Sequence, residues 1–144
     1  MANPQYGQNK VDAIMDASSK LVVVPTVLNG SGHAAGAHGL SWANPEGEAI
    51  IIESCVFDVT TPATGSATAD IGVAANGTTS ADTLMDGVNV GAAAIVANSQ
   101  DNAGTNGGID KMASGEYITV DFSADPTGLV GNLYIKYWIP SKAV

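Results

Sequence analysis

The chain has 144 residues, enough for one domain and not for two independent cores, since soluble domains run to about 100–150 residues. Five basic against 14 acidic residues give a formal net charge of −9, and all five basic residues are lysines. Without a clustered basic face or any arginine, the composition argues against nucleic-acid binding and against an anionic membrane surface. The hydrophobic share is 45%, much of it alanine, so the expected core is thin and expected to borrow burial from partner subunits.

Residues 1–19 are polar apart from Val11, Ile14 and Met15, whose i, i+3, i+4 spacing marks an apolar stripe too short to hold a helix alone. This stretch is expected to be an N-terminal arm, with the folded domain running from 20 to 144. Residues 20–28 are β-branched, include Leu21 and Val23, and are interrupted by Pro25, which fits an edge strand or a bend. Residues 29–39 read as a glycine-rich loop that holds both histidines, His33 and His38. Residues 49–59 begin apolar on both faces, as expected of a strand inside a sandwich, and Pro62 to Gly65 turn the chain.

Residues 66–73 alternate, with Ala67, Ala69, Ile71 and Val73 on one face. Residues 80–87 read as a capped helical turn closed by Gly87, residues 88–96 as a further strand, and 98–108 as an Asn/Gly/Asp loop. Residues 116–122 alternate again, with Ile118, Val120 and Phe122 inward. The longest alternation is 129–139, with Leu133, Ile135, Tyr137 and Ile139 on one face and Asn132, Tyr134, Lys136 and Trp138 on the other, ended by Pro140. Strands separated by Gly, Pro and Asn turns, with no long helical period, predict an all-β antiparallel sandwich.

Cys55 is the one cysteine, so neither an intramolecular disulfide nor a cysteine zinc site is available, and a buried inert thiol is expected. His33 and His38 lack the partners of an HExxH or GxSxG site. Asp82 with Asp86, and Asp101 with Asn102, Asn106 and Asp110, supply hard oxygen donors, but Ala103 breaks the calcium-loop spacing. An acidic solvated rim is the expectation there, with no metal and no cofactor. Gly30, Gly32, Gly36 and Gly39 lack the lysine of a phosphate loop. A carboxylate-pair hydrolase needs sugar platforms, and the chain offers only Trp42 and Trp138, so no enzyme is expected. Tyr134, Lys136 and Trp138 share a face that is either a second core half or a subunit interface. The first residues lack the regions of a signal peptide and no apolar run is long enough to span a bilayer, so assembly in a cytoplasm and no membrane partner are expected.

The run 50–74 (IIIESCVFDVTTPATGSATADIGVA) followed by 78–87 (TTSADTLMDG) resembles small structural proteins of tailed bacteriophages, as do 115–119 (GEYIT) and 128–137 (GLVGNLYIKY). The resemblance covers residues 50–139 and leaves the N-terminal third unmatched. It implies a capsid decoration (cement) protein with a jelly-roll-like sandwich, usually trimeric, seated on the outer surface of the virion against the major capsid protein, and it carries no catalytic residues. A shell-covering protein needs a rigid body and an interface. In that setting Val11, Ile14, Met15, Leu21 and Val23 are the expected capsid-binding arm, and Tyr134, Lys136 and Trp138 the expected oligomer interface. The alternative is a head-fibre or tail-fibre module that binds host-surface glycan through Trp42, Trp138 and the acidic loops.

Overall fold

The computed structural model describes residues 19–27, 38–98, 103–107 and 109–142. Among these the chain forms β1 (Ser19–Val27), β2 (His38–Ala43), β3 (Ile50–Thr61), β4 (Thr68–Ala74), β5 (Met85–Asn89), β6 (Ala94–Ala97), β7 (Asp110–Met112), β8 (Tyr117–Phe122) and β9 (Val130–Trp138), closed by a short 3-10 turn, Pro140–Lys142. Every pairing is antiparallel. One sheet runs β1-β9-β3-β6, with β7 also on β3; the other runs β2-β8-β4-β5. The two pack face to face over one shared core, so the fold is an all-β sandwich.

β3 is the spine of the five-stranded sheet. β9 runs along one side of it, from Ile51↔Trp138 to Thr61↔Val130. On the other side β7 pairs with Ile50 to Ile52 and β6 with Val56 to Val59. Asn98 bridges the gap between those two short strands. Its N–H donates to the Cys55 carbonyl at 2.9 Å, and its Oδ1 accepts from the Cys55 N–H at 3.2 Å. The backbone of β3 is thereby satisfied where no strand lies beside it. At the far edge β1 pairs with β9 from Ser19↔Trp138 to Val27↔Val130.

The core is not thin. Phe57, Phe122 and Tyr137 are fully buried among Ile50, Ile52, Ile71, Ile118, Leu133 and Ile135, so bulky side chains carry the centre. Alanine is divided between core and surface: Ala67, Ala69 and Ala74 are buried, whereas Ala92, Ala93 and Ala94 are exposed.

Three sequence expectations are corrected. Residues 80–87 form no helical turn. The Leu84 N–H donates to the Ile71 carbonyl at 3.0 Å and Met85 pairs with Ile71, so the backbone here runs extended beside β4. Residues 77–84 instead lie as a strap across the outside of the four-stranded sheet, and Met85 opens β5. The predicted strand 88–96 is two strands in different sheets, because Gly91 and the alanines after it let the chain cross from Val88, paired with Ala69, to Ala94, paired with Val59. The segments read as loops also supply pairing: β2 begins at His38, and Ala103 bridges to Met85.

Candidate functional site

The two outer faces of the sandwich differ. The four-stranded sheet is covered by its own chain. The Thr119 hydroxyl donates to the Thr79 carbonyl at 3.0 Å, the Val73 N–H donates to Thr83 Oγ1 at 2.9 Å, and the Leu84 N–H donates to the Ile71 carbonyl at 3.0 Å. Glycine makes the approach close enough: a Cβ on Gly72 would stand 2.6 Å from the Ala81 carbonyl carbon and the Thr83 nitrogen. Gly104 backs the strap from the other side, where a Cβ would collide with the Asp82 carbonyl. Asp121 on this face is only 3% exposed.

Among the described residues, no segment lies across the outer face of the five-stranded sheet. β9 supplies Asn132, Tyr134, Lys136 and Trp138 to it, in the alternation the sequence predicts. Paired neighbours in the register bring Ile51, Val56 and Asp58 of β3 to the same side. Leu21 opposite Lys136 and Ile95 opposite Asp58 are 68% and 69% exposed. Val130, a third large exposed apolar side chain, closes one end, and Lys111, beside Ile51, closes the other. Several large exposed apolar side chains gathered on one sheet face, among Tyr134 and Trp138, suit an interaction surface.

The charges of the open face balance. Lys136 Nζ pairs with Glu53 Oε1 at 3.0 Å. Lys111 and Asp58 carry the remaining described charges, one of each sign, at opposite ends of the face. The neighbouring rim is held by Glu46, whose Oε1 accepts from Lys20 Nζ at 2.5 Å and from the Tyr137 hydroxyl at 2.8 Å. The Lys20 hydrogen bond, with that of Tyr137 second, holds the Glu46 carboxyl below its ordinary range. Burial first, and the bond to Glu46 second, push the Tyr137 phenol up to about 12. This latch fastens the edge strand β1 to the β2–β3 connection.

Of the residues predicted for an arm, Val11, Ile14 and Met15 lie outside the described residues. Leu21 and Val23 belong to β1 and pair with Lys136 and Tyr134, so they sit beside the predicted oligomer set and share one sheet with it. Tyr134, Lys136 and Trp138 are brought together as expected. Ile51, Val56, Ile95 and Val130 were not anticipated as members of the face. β3 looks apolar on both sides in sequence, and the alternation of Ile95 against Val96 was masked by the continuous strand assigned there. The two tryptophans do not form one platform: Trp42 tilts against the inward Tyr137, ring centroids 5.9 Å apart, whereas Trp138 lies on the outer face.

Cys55 is fully buried and its thiol is pushed up to about 12 by desolvation, which leaves it protonated and unreactive. Asp82 is occupied structurally: its Oδ1 accepts from the Thr105 hydroxyl at 2.9 Å and its carbonyl accepts from the Thr105 N–H at 3.1 Å. Among the described residues no three His, Cys, Asp or Glu side chains are grouped to hold a metal ion, and no helix is long and apolar enough to cross a membrane. Asp101, Asn102 and His33 lie outside the described residues.

No family model matches the chain, and no curated protein matches it. A solved structure described as the acidic stable capsid structure of Helicobacter pylori bacteriophage KHP30 is similar over 85% of this chain and 89% of that one, at 11% sequence identity and a TM-score of 0.44.

Proposed function

We propose that this chain is a structural virion protein: a capsid decoration (cement) protein of a tailed bacteriophage that binds and stabilises the major capsid protein lattice from outside. The observation that carries the reading is the open outer face of the five-stranded sheet, apolar, charge-balanced and mounted on a rigid antiparallel body. Such a face suits lateral cross-linking of neighbours, which needs shape and burial rather than chemistry. The sequence resemblance over 50–139 supports the same reading. So does the strand order: β1-β9-β3-β6 opposite β2-β8-β4-β5 alternates the chain between sheets as in a jelly roll, with β7 as an addition.

In this proposal the chain self-associates, and Tyr134, Lys136 and Trp138 lie in the contact between copies. Residues 1–18, with Val11, Ile14 and Met15, form the arm that reaches the coat lattice, assisted by Leu21 and Val23 at the sheet edge. The first test is stoichiometry in purified virions by quantitative mass spectrometry. A copy number comparable to the major capsid protein is expected; a handful of copies per particle overturns the cement role in favour of a fibre component. Deleting residues 2–18 is expected to abolish binding to undecorated shells while the far-ultraviolet spectrum stays that of the full chain. Retained binding refutes the arm.

A further inference from the structure

The asymmetry between the two outer faces calls for an occupant of the open one. The four-stranded sheet has its strap. The five-stranded sheet has none among the described residues, and of the four large apolar side chains exposed among those residues it gathers three: Leu21, Ile95 and Val130. We propose that this face packs against the same face of a second copy of the chain. The arrangement is two-fold, with facing strands antiparallel, so that Lys111 of each copy lies toward Asp58 of the other. The inference rests on the self-association read above and is independent of coat binding.

Charge selects the occupant. Two copies of a chain with a formal net charge of −9 repel one another over most orientations. The open face carries no net charge among its described residues, which are two lysines and two carboxylates, Lys111, Lys136, Glu53 and Asp58. Lys136 and Glu53 neutralise each other within the chain. Lys111 and Asp58 have no ion-pair partner among the described residues, and they stand at opposite ends of the face: Lys111 beside Ile51 in the row of Trp138, Asp58 beside Ile95 in the row of Asn132. A two-fold axis lying in the contact plane and perpendicular to the strands exchanges the two ends, so each lysine meets the acidic end of its neighbour, twice per pair. An axis along the strands would set lysine ends beside each other and leave both charges unanswered.

Size sets the strength. Four strands at a spacing of about 4.8 Å and nine residues at about 3.3 Å give a face of about 19 by 30 Å. That is on the order of 600 Å² per copy, at the low end for a specific contact, so the dimer is concentration-dependent rather than permanent.

The test is sedimentation equilibrium of the isolated full chain, without coat protein, from low micromolar to submillimolar concentration. The wild type is expected to pass from monomer to dimer across that range. Lys111→Glu and Asp58→Lys should each raise the dissociation constant about tenfold or more, and the double variant Lys111→Glu/Asp58→Lys should restore it to within about threefold, because the reversed pair re-forms between copies. Ile95→Glu, at an exposed position that cannot unfold the core, should abolish dimerisation. A monomer throughout, the trimer implied by the family resemblance, a dimer indifferent to all of these changes, or a double variant without rescue each overturns the proposal. Because no shell is present, any of these results leaves binding to the coat to be judged separately on purified capsids.

Discussion

Replacing Gly72 with alanine probes how tightly the strap is laid on the four-stranded sheet. By strand propensity alone the change should help, since glycine inside a strand costs about 0.5–1 kcal/mol relative to alanine. The structure predicts the opposite sign. The new Cβ would stand 2.6 Å from two backbone atoms of the strap and 2.8 Å from the Ala81 Cβ, and backbone cannot step aside as a side chain can. Either β4 bends or the strap lifts. Overpacking of this kind costs about 1–3 kcal/mol, and lifting the strap strains the bonds from Val73 N–H to Thr83 and from Leu84 N–H to Ile71, worth about 1 kcal/mol each. A net loss of about 2–4 kcal/mol follows, and at about 3 °C per kcal/mol for a chain of this length the melting temperature falls by about 6–12 °C. Calorimetry and urea titration measure it, with Gly47→Ala as the control, since a Cβ at Gly47 meets nothing within 4 Å. A Gly72→Ala variant within about 0.5 kcal/mol of wild type, or more stable than it, refutes the account of the strap.

Asn98→Ala removes the acceptor for the Cys55 N–H at a buried position, and a loss of about 1–3 kcal/mol by urea titration is expected. Cys55 should stay unlabelled by a thiol reagent at pH 8 in the folded protein and react fully once unfolded, because burial holds the thiol neutral. Tyr137 has its folded pKa raised from 10.0 to about 12, so the stability it contributes is intact below pH 10 and lost as pH rises toward 12. Tyr137→Phe should flatten that alkaline limb in denaturant midpoints measured against pH, while costing about 1 kcal/mol at neutral pH for the bond to Glu46.

The fold was legible wherever alternation is long. β9 follows the period of two across all its residues, and its inner and outer sets are those the sequence predicts. β3, β4 and β8 were likewise visible as apolar or alternating runs. β2 was hidden because Gly39 and His38 look like loop chemistry, although Gly39 is required where a Cβ would strike the Phe122 ring. β7 is three residues long and carries no period. The 80–87 error has a different origin: Ser80, Asp82 and Gly87 are good cap residues for a helix, yet Asp82 and Thr83 bond instead to Thr105 and to Val73 of β4, partners distant in sequence. Half of the open face was legible for the same reason as the fold. Tyr134, Lys136 and Trp138 lie on one strand, so period alone groups them, whereas Leu21, Val56 and Ile95 join them only through the order β1-β9-β3-β6, which no local pattern encodes.

The pairing of Ser19 with Trp138 puts the beginning of the first strand and the end of the last side by side. Both leave the sandwich at one pole, and the turns at Gly65 and Gly128 occupy the other. A short linker is therefore enough to join Trp138 back to Ser19, and a circularly permuted chain opened at an exposed turn such as Gly65 keeps every strand pairing intact.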